Sequence, residues 1–353
     1  MRSSSRRGSA PTLAAREEGS RRRLRKRTVL QLPDRAKRWA ILYPTEVLPK
    51  PLRLAARKRL LEQLELTKAR RAGLIIVGHP KSGNTWLRVL ISRLYQVRHD
   101  IPASLIAHSD ELHRQNPAIP YITATNGWYS YEGAVGRVLA AGAPDSPMRH
   151  KPIVFLARNP CDIAVSWFLQ VTKRQSKPKF ELINDELGHP LDRTAIQMWD
   201  FVRHSDLGVM SLIAFLNTWA RNMETLEHSM MVRYEDLRAD PAEQLRRIAK
   251  LVGESFTDET YDEAVRFGSV ENLRALESKG FFKHGGMSLR NPADPETFKV
   301  RRAKVGGYRD YLTAEQAAEI EDLMVKHLSP VFGYTAAAPA APRTGTEALS
   351  PTA

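Results

Sequence analysis

The chain has 353 residues, 42% of them apolar and 26% charged, and one cysteine, Cys161; this suffices for one large α/β domain and excludes a disulfide framework or a cysteine-rich zinc site. No run of about 18 apolar residues occurs, so a bilayer-spanning class is excluded, and the first thirty residues lack the apolar stretch of a secretory leader, which makes the cytoplasm the expected location. The formal charge of +15, concentrated in RRRLRKR from Arg21 to Arg27, favours anionic partners: nucleotide, nucleic acid or acidic lipid.

Residues 1–35 are rich in Arg and Ser and poor in apolar positions, so they read as a basic disordered tail. Through that tail alone the sequence offers contact with nucleic acid or an acidic membrane surface. Leu54 to Arg71 has helical periodicity, and Leu74-Ile75-Ile76-Val77 then reads as a buried strand ending at Gly78. A loop follows, and Trp86 to Tyr95 predicts a helix. Pro152 to Ala157 predicts a second strand, after which Asn159-Pro160 caps a helix running to about Leu169.

Met230 to Val232 predicts a third strand, leading through Tyr234-Glu235-Asp236-Leu237 into a helix that starts near Pro241. Thr313 with Gln316 forms a capping box for a last helix, and residues 335–353 read as a second disordered tail. Strand, loop and helix recur in the order that parallel sheets use. The expected fold is therefore α/β, a P-loop-like parallel sheet flanked by helices, in a single domain spanning residues 36–334.

The loop GHPKSGNT has the glycine spacing of G-x-x-x-x-G-K-[ST], with Gly78, Gly83 and Thr85 in place, so backbone N–H groups at a helix start could cradle phosphates. Asn84 stands where a nucleotide triphosphatase needs its lysine, and the nearby lysine is Lys81. A cradle that keeps its amides but relocates its cation suits a donor with a different charge layout. Sulfuryl transfer fits, because the terminal sulfate carries less charge than a γ-phosphate and a lysine at the bridging oxygen can stabilise the leaving phosphate without a metal. Arg158 closes the second strand and Ser166 lies about two helical turns further on, so both could face one anion.

At these residues the chain resembles the PAPS-dependent sulfotransferases. PKSGNTW is similar to their 5′-phosphosulfate loop and RNPCDIAVS, from Arg158 to Ser166, to their 3′-phosphate motif. Tyr234-Glu235-Asp236-Leu237 resembles the family's YED segment, and RRAKVGGYRDYLT, from Arg301, its RKGxxGDWKNxFT ending. The resemblance implies transfer of a sulfuryl group from 3′-phosphoadenosine 5′-phosphosulfate to a hydroxyl or amine. It implies that Lys81, Ser82, Gly83, Asn84, Thr85 and Trp86 hold the phosphosulfate and adenine end, with Lys81 catalytic. It further implies that Arg158 and Ser166 hold the 3′-phosphate, with Tyr234, Ser269, Arg301 and Arg302 completing the donor site and no metal needed.

Ala303 and Gly268 depart from the family pattern, and so does Asn126. Laid without gaps on the family's strand-end Thr-His pair, Thr125-Asn126 puts an amide where the base belongs, and an amide takes no proton at neutral pH. His108, Glu111, His113 and His150 remain as candidates, with His108 the first choice. Trp128, Tyr129, Tyr131, Trp167, Phe168 and Trp199 could line an acceptor pocket, although core packing accounts for most such residues. A P-loop kinase and a non-catalytic nucleotide or nucleic-acid binder are the competing functions.

Overall fold

The structure, a computed structural model, describes residues 32–107, 110–126, 143–187, 189–282 and 304–334. Four parallel strands form its sheet: β1 (Leu74–Val77), β2 (Ile122–Thr125), β3 (Ile153–Ala157) and β4 (Ser229–Arg233), in the order β2-β1-β3-β4. Pairing runs Val77 to Thr125, Ile75 to Ile153 and Leu156 to Val232. The strands are short apolar runs because helices cover both faces of the sheet.

Alternation sends Ile75, Val77, Phe155 and Ala157 to one face and Leu74, Ile76, Val154 and Leu156 to the other. On the first face Phe155 stacks on Trp219 of a long helix, α8 (Val209–Thr225). On the second, Leu87, Leu90, Ile91 and Leu94 of α3 (Asn84–His99) pack against the sheet.

In chain order the remaining helices are α1 (Asp34–Leu42), α2 (Lys50–Arg71), α4 (Glu111–Gln115), α5 (Pro160–Leu169), α6 (Lys177–Asn184), α7 (Met198–Arg203), α9 (Tyr234–Ala239), α10 (Pro241–Leu251), α11 (Asp258–Phe267), α12 (Val270–Ser278) and α13 (Ala314–His327). The chain leaves β1 for β2 on one side and then returns to β3 on the other. Between the carboxyl ends of β1 and β3 lies the switch point at which open α/β sheets bind ligands. Gly78 and Arg158 are the residues that follow those two ends.

Local chemistry explains the helix starts. Asn159 Oδ1 accepts from Cys161 N at 2.9 Å and Pro160 fills the first turn of α5, while Thr313 and Gln316 exchange both capping-box bonds at the start of α13. Two stretches differ from expectation. Tyr234–Ala239 is helical rather than a connector, and α1 opens at Asp34, inside the stretch expected to be tail, because the buried Asp34 carboxylate accepts from the Tyr121 hydroxyl and pairs with Lys37 at 2.8 Å. The rest of the expected first tail, up to residue 31, and residues 335–353 lie outside the described residues.

Candidate active site

The cradle begins where β1 ends. Gly78 N donates to Thr125 O at 3.3 Å, and the Asn84 amide reaches back to Gly78 O at 2.8 Å, bracing the loop across its mouth. A Cβ on Gly78 would stand 2.5 Å from Asn84 Oδ1 and 3.0 Å from Leu156 O, so only glycine fits. Gly83, the cap of α3, has φ +107°, and a Cβ there would strike the Tyr234 ring at 2.8 Å. The first N–H groups of α3 have no carbonyl within the helix to bond, so the cradle presents donors and a positive dipole end.

Lys81 also has positive φ, +81°, which is uncommon for a lysine. Its carbonyl accepts from Arg158 Nη1 at 3.1 Å, so the cation-bearing loop is tied directly to the end of β3. Arg158 Nη2 donates to Lys304 O at 3.3 Å, and its guanidinium lies 4.3 Å from the Tyr234 ring centre. The loop after β1, the end of β3, α9 and the segment around Lys304 thus meet at one arginine. Trp86 packs edge-on against Tyr234 at 5.7 Å and donates its indole N–H to Gly268 O at 2.8 Å, which brings in the segment carrying Ser269.

The atoms left over at this junction suit an anion. Ser82 is fully buried with its hydroxyl unpartnered, and Arg158 Nε is likewise a buried donor without an acceptor. Such groups cost free energy unless something binds them, and phosphate or sulfate oxygens are the matching acceptors. Ser166 is buried on α5, about two turns from its start, and Ser269 caps α12 by accepting from Asn272 N at 3.2 Å. Among the described residues no group of His, Cys, Asp and Glu is placed to hold a metal ion.

Two carboxylates that the sequence did not single out organise the junction. Asp162, buried on α5, accepts from Gly306 N at 2.9 Å and Tyr308 N at 3.1 Å and lies 3.6 Å from Arg158, which docks the segment from Gly306 to Tyr308 onto the start of α5. Glu235 accepts from Asn159 N at 3.2 Å and from the Tyr334 hydroxyl at 2.5 Å. The available signal was an acid within the otherwise apolar run PCDIAV. Asp162→Asn replaces one accepting oxygen by an NH₂ facing a backbone N–H, at a cost of about 1.5–3 kcal/mol. The donor KM should rise at least about tenfold with the fold intact, which steady-state kinetics over donor concentration will show.

The base candidates separate. Asn126 follows β2 directly beside the cradle, because Thr125 pairs with Val77. His150 lies at the opposite end of β3, exposed and paired with Glu227 at 2.7 Å, so it is remote from the junction. His113 Nδ1 engages Ile119 O at 2.7 Å. Glu111 opens α4 and holds up the charge of buried Arg88, whose guanidinium burial lowers to about 10; Arg88 in turn contacts Asn84 O and Thr85 Oγ1. Glu111 is therefore the candidate that the described structure brings towards the cradle. His108, Arg301, Arg302, Ala303, Trp128, Tyr129 and Tyr131 lie outside the described residues. Trp167, Phe168 and Trp199 pack into or against the core.

His79, between β1 and the loop, is buried edge-on to Trp167 and Phe215, and burial lowers its pKa to about 3. The unfolded chain therefore binds a proton below about pH 6.5 that the folded chain refuses until about pH 3. Stability must fall as pH drops through that window. Chemical denaturation between pH 7 and 4.5 should show a slope smaller by about one proton in His79→Gln than in the parent chain.

A family model described as Sulfotransferase domain matches residues 72–331. Cytosolic sulfotransferase 13 of Arabidopsis thaliana is 27% identical over 269 residues, covering 72% of this chain and 76% of its own length. Flavonol 4′-sulfotransferase of Flaveria chlorifolia is 26% identical over 287 residues, covering 74% and 81%. Solved structures of a mouse sulfotransferase complexed with PAP (TM-score 0.46, 17% identity, 77% of this chain and 93% of that one) and of retinol dehydratase with androsterone and PAP (TM-score 0.47, 16%, 72% and 80%) are similar in part.

Proposed function

The chain belongs to the sulfotransferase family, and on that footing we propose that its donor is 3′-phosphoadenosine 5′-phosphosulfate, bound across the carboxyl ends of β1 and β3. The observation that carries this reading is the junction at Arg158, where a phosphate cradle, a buried unpartnered Ser82 hydroxyl and an unpartnered guanidinium N–H converge. In the reaction the acceptor oxygen or nitrogen forms a bond to sulfur as the bond from sulfur to the bridging oxygen breaks. The electron pair of that bond leaves on the 5′-phosphate of adenosine 3′,5′-bisphosphate, and the acceptor's proton passes to a neighbouring base or to solvent.

Lys81 stabilises the charge that grows on the bridging oxygen, and the α3 amides hold the phosphosulfate in line. Arg158 and Ser166 take the 3′-phosphate, Trp86 and Tyr234 flank the adenine, and Asp162 keeps the C-terminal motif over the site. Asn84, whose amide is engaged on Gly78 O, supplies no cation for a γ-phosphate, which counts against a kinase.

Incubation with ³⁵S-labelled donor and a panel of phenols, alcohols and amines tests this. Label should move to at least one acceptor class without added metal, and Lys81→Ala should abolish it. Hydrolysis of Mg-ATP with no sulfuryl transfer to any acceptor would contradict the proposal.

A further inference from the structure

Arg88, Ser92 and Gln96 recur every four residues along α3, so they share one face, and all three are buried. Two of them are occupied in strapping the stretch 105–107 along the helix. Gln96 Nε2 donates to Leu105 O, and Ser92 Oγ accepts from Ala107 N at 2.6 Å while donating to Arg88 O. Both ends of the strap are therefore held by neutral groups.

Arg88 reaches further. Its Nη1 donates to Ala107 O at 3.3 Å, its Nε to Asn84 O at 3.3 Å and its Nη2 to Thr85 Oγ1 at 3.4 Å. All three acceptors are neutral. Burying a guanidinium costs more free energy than burying an amide, which could serve a carbonyl equally well, and the strap already has Ser92 and Gln96. The fork and the charge of Arg88 are thus explained at its other end, in the first turn of α3.

Thr85 is the second residue of α3 and is half-buried, beside the N–H groups that open the helix. Arginine has donors and no acceptor, so Thr85 Oγ1 accepts from it and the hydroxyl proton is turned elsewhere. Among the described residues that hydroxyl donates to no acceptor. For a proton presented at a helix N-terminus, together with free backbone N–H groups, an anionic oxygen is the matching partner.

On the reading that phosphosulfate occupies the cradle, we propose that Arg88 is a positioning residue for sulfuryl transfer: through its bond to Thr85 it presets that hydroxyl as a donor to the 5′ end of the nucleotide. Arg88 itself touches no substrate atom. It stays protonated at neutral pH, because burial lowers its pKa only to about 10 and the charge of Glu111 opposes that decrease. A hydroxyl fixed before the nucleotide arrives needs no ordering at the moment of binding, which is where the affinity is gained.

Titration of adenosine 3′,5′-bisphosphate and adenosine 3′-monophosphate into Arg88→Met separates this role from a structural one. The bisphosphate should weaken at least about tenfold and the 3′-monophosphate less than about twofold, because the latter places nothing at Thr85. In a Thr85→Val background the same change should cost the bisphosphate less than about twofold, since the hydroxyl that Arg88 orders is gone. Arg88→Lys is the milder variant should Arg88→Met fail to fold. It keeps the charge but not the fork, so it should weaken the bisphosphate by a smaller factor, and that loss should also vanish beside Thr85→Val. No weakening of the bisphosphate, equal weakening of both ligands, or losses that add across the two positions overturns the proposal while the parent chain still transfers ³⁵S. A parent chain that transfers none overturns the donor reading, and the proposal with it.

Discussion

Lys81→Met lowers the rate of sulfuryl transfer by about two to three orders of magnitude while donor affinity changes only a few-fold, because the ammonium is needed where charge grows in the transition state. Methionine keeps the length and apolar stem of the side chain. It also keeps the backbone at φ +81°, so the strain of a left-handed non-glycine residue, about 1–3 kcal/mol, is common to both proteins. Arg158 holds that carbonyl in either case. A loss in kcat with little change in donor binding is then the mark of leaving-group stabilisation. An equal loss in donor affinity would mean that Lys81 binds the ground state instead.

Arg158→Ala produces the second large effect, a fall in bisphosphate affinity of about a hundredfold or more. It removes the bonds to Lys81 O and Lys304 O, the stacking on Tyr234 and the cation beside buried Asp162. Removing a guanidinium that would pair with a phosphate in a desolvated site costs about 2–5 kcal/mol. Arg158→Lys recovers little, since a point charge cannot serve two carbonyls and a phosphate with fixed fork geometry. The informative quantity is selectivity, measured by titrating bisphosphate and AMP into each variant. If Arg158 holds the 3′-phosphate, the two ligands converge in affinity. If it merely braces the loop, both weaken by the same factor.

Much of this site is written in contiguous residues. The strand Leu74–Val77, the glycine spacing from Gly78 to Gly83 and the Asn159-Pro160 start of α5 follow from local pattern, because buried parallel strands and helix caps are local chemistry. Asp162 and Glu235 were not legible in that way. Their partners, Gly306, Tyr308, Asn159 and Tyr334, lie 76 to 146 positions away, and no short-range spacing encodes such contacts. The left-handed Lys81 escaped for a related reason. Nothing in a lysine announces positive φ, which here accompanies a tether from a distant strand end. α1 was hidden by the Arg-rich composition before it, which masks the buried Asp34 that anchors it.

Asn126 follows β2 beside the cradle, and the charge of Glu111 acts on buried Arg88, which bonds Asn84 O and Thr85 Oγ1. Glu111→Gln separates the roles, since loss of transfer with unchanged bisphosphate binding is the behaviour of a proton acceptor.

Calorimetry of the full-length chain with adenosine 3′,5′-bisphosphate and with AMP, in the absence of metal, tests the donor site most directly. Charge-assisted bonds to a second phosphate are worth about 1.5–3 kcal/mol each, so two of them predict that the bisphosphate binds at least about a hundredfold tighter. Equal affinities, or tighter binding of Mg-ATP, would contradict a site built for the 3′-phosphorylated donor.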